Sequence, residues 1–325
     1  MSYSVYVTSI IPEPGMQIVK DFCPGAEVYP QDRIHPRSLL LRKIKGRDGV
    51  LTLLTDTVDK EFMDVAGPQL KVISNYAVGY NNIDVEEASR RKIVVGNTPG
   101  VLTDATSDMA WALLFSAARR CAESDKFTRA GKFHGWRPTM FLGGDITGRT
   151  LGIIGAGRIG SSMALKSVGF KMKVLYHDLN QNKELEENLG AKQVALDTLL
   201  KESDFVSVHT VLDDTTRHLI GKRELGLMKK TAYLINTSRG PVIDEEALVE
   251  ALKNKTIAGA GLDVYEDEPE LKPGLTECAN AVLAPHTASA TIWTRGKMAE
   301  MAANNLVAGL EGKRPPNLVN PEALD

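Results

Sequence analysis

The stretch Thr150-Leu151-Gly152-Ile153-Ile154-Gly155-Ala156-Gly157-Arg158-Ile159-Gly160 decides the fold. A short apolar run of the kind that fills a buried parallel strand breaks at a G-x-G-x-x-G and resumes with helical spacing at Ile159, Met163 and Val168, read as the inward face. Each glycine meets a physical need: Gly155 a tight turn, Gly157 close approach of backbone to an anion, Gly160 tight packing of helix on strand. The unpaired N–H groups at the helix start favour negative charge. Strand, glycine loop and helix together specify a dinucleotide pyrophosphate site.

Asp178 ends the next run, KVLYHD, 21 residues past Gly157, against an expected separation of about 20 for the acid that meets the adenosine ribose. A strand-end Asp that merely closes a turn is the bland alternative. A carboxylate there accepts ribose hydroxyls and repels a 2'-phosphate, and HDLNQNK offers no arginine to receive one. NAD(H) is expected over NADP(H).

Working outward, strands are read at LGIIG (151–155), KVLYH (173–177), FVSVHT (205–210), AYLINT (232–237), AGAGLDV (258–264) and AVLAPH (281–286), separated by helical patterns such as Asp244 to Lys253. Right-handed crossovers wind such a series into a doubly wound sheet. The first hundred residues alternate in the same way, with strands read at 3–11, 49–54, 71–78 and 93–97. Turn chemistry at Asn97-Thr98-Pro99-Gly100 marks a hinge, followed by a long helix from Thr103 to Arg120. A last helix, Thr291 to Gly312, is expected to return to the first lobe. The prediction is an α/β protein of two doubly wound Rossmann-like domains with an active-site cleft between them. Residues 1–99 with 287–325 form a substrate-binding domain and 100–286 an NAD-binding Rossmann domain.

Composition narrows the function classes. In 325 residues, 39 basic against 41 acidic side chains leave a formal charge of −2, which disfavours a nucleic-acid or polybasic membrane partner. Cys23, Cys121 and Cys278 are scattered, with no Cys-x-x-Cys or Cys/His ligand spacing. Neither a metal site nor a disulfide framework is expected. The N-terminal MSYSVYVTSIIPEP has no basic stretch leading into an apolar one. The expectation is a cytoplasmic protein.

Reducing a ketone by hydride transfer requires a cation for the substrate carboxylate, a proton donor for the forming alkoxide, and a group that keeps the donor protonated. Three strand ends offer candidates. Arg239 follows AYLINT at the sheet edge where such folds bind ligands, and its guanidinium can take a carboxylate bidentately. Glu266-Asp267-Glu268 follows AGAGLDV, an acidic cluster that also reads as a solvated loop. His286 follows AVLAP; His35, His134, His177, His209 and His218 read as structural, because the sequence implies no second group for them.

With these motifs in hand, the chain resembles the D-isomer-specific 2-hydroxyacid dehydrogenase family over nearly its whole length, through NYAVGYNNID, NTPGVLTDATSDMAWALL, LGIIGAGRIG, NTSRGPVIDEEAL, GLDVYEDEP and APHTAS. It is most similar to the glyoxylate/hydroxypyruvate reductase (glycerate dehydrogenase) branch, through SNYAVGYNNID, WRPTMFLGGDITG and AANNLVAGLEGKRPPNLVN. The resemblance implies catalysis by Arg239, which binds and polarises the 2-oxo acid, by His286 as acid/base, and by Glu268, singled out from its acidic neighbours, as support for His286. It further implies cofactor contacts from Thr106, Arg158, Ile159, Thr237 and Asp263 beside Gly155, Gly157, Gly160 and Asp178, and substrate contacts from the Val78 and Gly79 amides. The helix from Thr103 and the segment through Trp136 resemble the family's dimer-forming arm, so a homodimer is expected. Thr210-Val211-Leu212 stands where the family commonly has a proline-leucine pair.

The implied reaction is reduction of glyoxylate or hydroxypyruvate to glycolate or D-glycerate. The alternatives are another small 2-oxo acid, or an NAD-sensing, corepressor-like binding protein on the same fold. Formate dehydrogenases would carry glutamine for Glu268 and phosphite dehydrogenases a lysine near Val78, and neither stands here. Substrates differing by a methyl or hydroxymethyl are separated by only about 1–3 kcal/mol; the loops Leu53 to Asp56 and Asn75 to Gly79 are expected to line that pocket.

Overall fold

The computed structural model describes residues 3–31 and 33–325. Met1 and Ser2, which open the N-terminal stretch read above, lie outside the described residues. The chain divides into two compact units, one running to Leu102 and resuming at Ala290–Asp325, the other Thr103–Ser289.

The first unit holds a five-stranded, wholly parallel sheet built from β1 (Val5–Val7), β2 (Glu27–Val28), β3 (Gly49–Thr52), β4 (Val72–Asn75) and β5 (Val94–Gly96), in the order β2-β1-β3-β4-β5. Alternate residues point to opposite faces, as the pleat requires. Val5, Val7, Leu51 and Val72 pack with Ala299, Ala302 and Leu306 of the helix Ile292–Leu310. Tyr6, Val50, Ile73 and Val95 pack on the other side with Leu40, Phe62 and Met63. Helices therefore cover both faces. The order reverses between β1 and β3, a switch point at whose carboxyl edge ligands characteristically bind.

The second unit holds β6 (Thr150–Ile154), β7 (Lys173–His177), β8 (Lys192–Gln193), β9 (Phe205–Val208), β10 (Tyr233–Asn236), β11 (Gly259–Leu262) and β12 (Ala281–Leu283), all parallel, in the order β12-β11-β10-β9-β6-β7-β8. Here the reversal lies between β6 and β9. Ile154, Val206, Leu234 and Leu262 face Leu248 and Leu252; Leu151, Ile153, Tyr176 and Ile235 face Trp111, Leu114 and Met163. Each such buried aliphatic side chain contributes about 1.5–3 kcal/mol. Two doubly wound parallel sheets are what the sequence predicts.

Three local expectations need correction. The strands are shorter than the apolar runs, because residues such as Thr237 and His286 leave the ladder to form the loops beyond it. The edge strands β2 and β8, each of two residues, are not predicted, since so short a segment carries no periodicity. Val168 is 61% exposed rather than inward-facing. The α-helix stops at Leu165 and continues as a 3-10 turn, Lys166–Phe170, whose tighter winding turns later residues off the buried stripe.

Candidate active site

The glycine loop follows β6. Gly155 has φ +91°, and a Cβ there would meet the His209 and Thr210 backbone at 2.8 Å, while one on Gly160 would lie 2.1 Å from the Gly155 carbonyl oxygen. A Cβ on Gly157, by contrast, would meet nothing within 4 Å. The first glycine and the last thus compact the loop, and the middle one leaves its backbone approachable, as a pyrophosphate requires. Gly157 is the N-cap of Arg158–Leu165 and offers no side-chain acceptor to the helix amides. Arg158 is exposed and Ile159 partly buried in that first turn.

Asp178 follows β7. One carboxylate oxygen accepts from the Ala156 amide at 2.8 Å and the other from the Asn180 amide at 3.0 Å. These bonds seat the acid against the glycine loop and leave further lone pairs for hydroxyl donors. Thr106 is buried in a helix, Thr103–Ala118, whose Ser107 hydroxyl lies 2.9 Å from that of Ser162. Thr237 follows β10, and its buried hydroxyl has no hydrogen-bond partner among the described residues; the same holds for the Thr210 hydroxyl and His209 Nδ1. Open backbone at Gly157 and orphaned polar atoms beyond β9 and β10 fit a polar ligand laid across this edge.

Beyond β10, buried Asn236 fixes the turn that presents Arg239. Its Oδ1 accepts from the Ser238 amide and hydroxyl, and its Nδ2 donates to the Arg239 carbonyl. Burial works to lower the Arg239 guanidinium, and the charge of Glu268 opposes it. The next residue, Gly240, lies so close to the following loop that a Cβ would stand 1.8 Å from the Tyr265 carbonyl oxygen.

That loop sorts its acids. Glu268 Oε2 lies 2.8 Å from His286 Nδ1 and Oε1 accepts from the Tyr265 amide at 2.9 Å. Asp267 pairs with Lys272 at 2.8 Å. Glu266 pairs with His218 at 2.7 Å, so His218 has the carboxylate partner its sequence context did not imply. Burial works to raise the Glu268 carboxyl, but the hydrogen bond and charge of His286, the Tyr265 amide and Arg239 outweigh it and hold Glu268 below the usual carboxylate range.

His286 follows β12 in the left-handed region, φ +54°, sparsely populated by non-glycine residues. Its amide donates to the Asp263 carbonyl at 2.9 Å, and the two Asp263 carboxylate oxygens each accept, at 2.7 Å, from the amides of Thr287 and Ala288. Asp263, read from sequence as a cofactor contact, also anchors the turn that carries His286 through its carboxylate. Tyr265 braces the same turn by donating its hydroxyl to the Ala284 carbonyl.

In the first unit, Leu53 follows β3 and Val78 and Gly79 follow β4. The Asn82 side-chain amide donates to the Leu53 and Asp56 carbonyls, Asn75 donates to the Gly79 carbonyl, and Asn97 to the Val78 carbonyl. Buried Asp56 accepts from the Thr8 hydroxyl and the Leu53 amide. Sequence reasoning placed Asp56 and Asn75 in pocket-lining loops and Asn97 in a turn, but missed their bracing role and the parts played by Thr8, Asn82 and Tyr265. Buried polar side chains at strand ends are their structural signal, and the sequence offers only polar residues in loops.

Residues 111–288 match the family model for the D-isomer specific 2-hydroxyacid dehydrogenase, NAD binding domain. The chain belongs to the D-isomer-specific 2-hydroxyacid dehydrogenase family. It is 51% identical to the glyoxylate reductase of Thermococcus litoralis, over 100% of this chain and 98% of that protein. A solved protein of Thermus thermophilus superposes with a TM-score of 0.90 at 42% identity, covering 97% of this chain and 99% of that one. An NADPH-dependent glyoxylate/hydroxypyruvate reductase of Sinorhizobium meliloti, solved with NADP and malonate, superposes with a TM-score of 0.85 at 31% identity, over 99% and 98% of the two chains. As a dehydrogenase of this family the chain is an oxidoreductase that uses a nicotinamide dinucleotide.

Proposed function

We propose that this dehydrogenase reduces glyoxylate, and hydroxypyruvate as a second substrate, to glycolate and D-glycerate, with NADH preferred over NADPH. The observation that carries the reading is the His286–Glu268 hydrogen bond of 2.8 Å in the unit where Arg239 acts electrostatically on Glu268. Bound at the glycine loop, a reduced nicotinamide would supply the hydride to C2 of the 2-oxo acid. Arg239 holds the substrate carboxylate and draws electron density from the C2 carbonyl. His286, with Nδ1 engaged by Glu268, delivers a proton from Nε2 to the C2 oxygen as it becomes an alkoxide. Glu268 fixes the tautomer and the orientation of the imidazole ring. Val78 and Gly79 supply amides to the carboxylate and Leu53 lines the pocket.

Cofactor preference rests on Asp178, whose charge opposes a 2'-phosphate at the ribose. Thr106, Arg158, Ile159, Thr237 and Asp263 complete the cofactor set, and residues 1–99 with 287–325 serve as the substrate-binding domain. We read the enzyme as a cytoplasmic homodimer. Its free cysteines suit a reducing compartment, and Phe133, Trp136 and Leu142, 55%, 80% and 66% exposed, offer an apolar surface suited to a partner copy.

The test is a steady-state panel of glyoxylate, hydroxypyruvate, pyruvate and phenylpyruvate with NADH and with NADPH, followed by reduced-nicotinamide absorbance. Turnover of glyoxylate and hydroxypyruvate with NADH is expected. No turnover of any substrate would overturn the reading in favour of a nucleotide-sensing binding protein.

A further inference from the structure

Glu245 is a carboxylate where a carboxylate is costly: the residue is 3% exposed, and burying such a charge is tolerated only with full compensation. It opens the helix Glu245–Lys253, directly after the N-cap Asp244, so the positive end of the helix dipole is one compensation. The others come from the loop that carries Glu268. Glu245 Oε2 accepts from the Glu266 amide at 2.7 Å and Oε1 from the Lys272 amide at 2.9 Å. Its own amide donates back to Glu266 Oε2, at 3.4 Å. The two oxygens therefore grip the loop on either side of Glu268.

The grip reaches the Arg239 turn as well. Glu266, held by Glu245, also pairs with His218, whose amide donates to the carbonyl of Pro241. Gly240 packs against the Tyr265 and Glu266 backbone, and the Tyr265 amide holds Glu268 Oε1. Ionisable groups linked to Glu245 include the flanking Asp244 and Glu246, Glu266 with its partner His218, Tyr265, on which Glu245 acts electrostatically, and Lys272, whose ammonium is turned to Asp267.

We propose that Glu245 is a positioning residue for proton transfer: by clamping the amides of Glu266 and Lys272 it fixes the loop that holds Glu268 against His286, without meeting substrate or cofactor. The proposal rests on the functional reading above. Without the clamp the half-buried Glu266 and Lys272 amides lose their carboxylate acceptor, and the loop shifts to find others. Misplacement of a catalytic group by about 1 Å can cost on the order of 10²-fold in rate.

The test is a double-mutant cycle on the full-length enzyme with Glu245→Gln, which keeps shape and one acceptor, and Glu268→Gln. Glu245→Asp stands in should Glu245→Gln fail to fold, as judged by circular dichroism and thermal melting. Glu245→Gln is expected to lower kcat for glyoxylate about tenfold or more while leaving KM for NADH unchanged, and to shift the kcat pH profile in the same direction as Glu268→Gln. In the Glu268→Gln background it should add little, because the group it positions is already gone. Multiplicative losses, or a loss carried by KM for NADH or by melting temperature alone, would overturn the clamp and leave the catalytic assignment standing. Should Glu268→Gln itself leave rate and pH profile unchanged, the assignment of the catalytic set is what fails.

Discussion

His286 Nδ1 and Glu268 Oε2 stand 2.8 Å apart, and both residues are held by backbone bonds from elsewhere: His286 through Asp263, Glu268 through Tyr265. An imidazole fixed at Nδ1 exposes a single nitrogen to chemistry, so two substitutions should separate its roles. His286→Asn removes the proton donor and spares the glycine loop. NADH binding by fluorescence titration should persist, while turnover falls by about 10²–10⁴-fold, the usual worth of a general acid. Equal loss of both would mean misfolding.

Glu268→Gln should act through pH. Reduction uses the protonated imidazole, and a carboxylate at hydrogen-bond distance favours that form. Removing the charge should move the basic limb of the kcat/KM profile for glyoxylate to lower pH. The stability effect has its own sign. A carboxyl held below its ordinary range, as Glu268 is, stabilises the fold above that range and loses the contribution as pH falls through the folded value. Wild type should therefore lose melting temperature on acidification more steeply than the glutamine variant. Identical profiles would count against the pairing.

How much of this was legible beforehand depends on the kind of signal. Both parallel sheets could be read because buried strands such as Leu151 to Ile154 are continuous apolar runs with turn residues at their ends. Arg239 and His286 could be nominated as polar residues just beyond such strands. Glu268 could not be told from Glu266 and Asp267 by charge, since only the folded loop turns one to His286, one to His218 and one to Lys272. Glu245 was hidden among the acids of the helix start, where a first-turn glutamate reads as a dipole partner on the surface. Local pattern reports periodicity and position; which amide a carboxylate meets is decided by tertiary packing.

Asp178 makes cofactor preference a test of geometry as well as charge. Replacing it with arginine removes the repulsion of a 2'-phosphate and also takes the acceptor from the Ala156 amide in the glycine loop. The ratio of kcat/KM for NADPH to that for NADH should rise. Efficiency with NADH should fall about 10- to 100-fold, the equivalent of one charged hydrogen bond at about 1.5–3 kcal/mol. An unchanged cofactor ratio would remove Asp178 from the site.

His209 predicts an acid-sensitive fold. It follows β9, its Nε2 lies 2.8 Å from the Ser207 hydroxyl, and burial pulls its pKa down to about 4. In the unfolded chain the imidazole titrates near about 6.5. The unfolded state therefore binds the proton more readily between these values, and stability falls as pH drops through that window, by up to about 3 kcal/mol. His209→Gln should flatten the dependence of melting temperature on pH between about 6.5 and 4. A slope equal to wild type would place the acid sensitivity in other groups.

Gly240 tests whether the Arg239 turn and the Glu268 loop are one mechanical unit. A Cβ there would stand 1.8 Å from the Tyr265 carbonyl oxygen, 1.9 Å from its carbon and 2.4 Å from the Glu266 nitrogen. All are backbone atoms, so no side chain can rotate away, and Gly240→Ala must push the two turns apart. Overpacking of this kind costs about 1–3 kcal/mol, and displacement by about 1 Å can cost on the order of 10²-fold in rate. Activity toward glyoxylate should fall far more than NADH affinity, because the strain sits beyond β10 and β11 while the glycine loop follows β6. Gly169→Ala is the control: a Cβ there meets nothing within 4 Å, and rate and melting temperature should stay at wild-type values. Equal behaviour of the two variants would mean that the turns yield independently, and that the Arg239 and Glu268 positions are not coupled through Gly240.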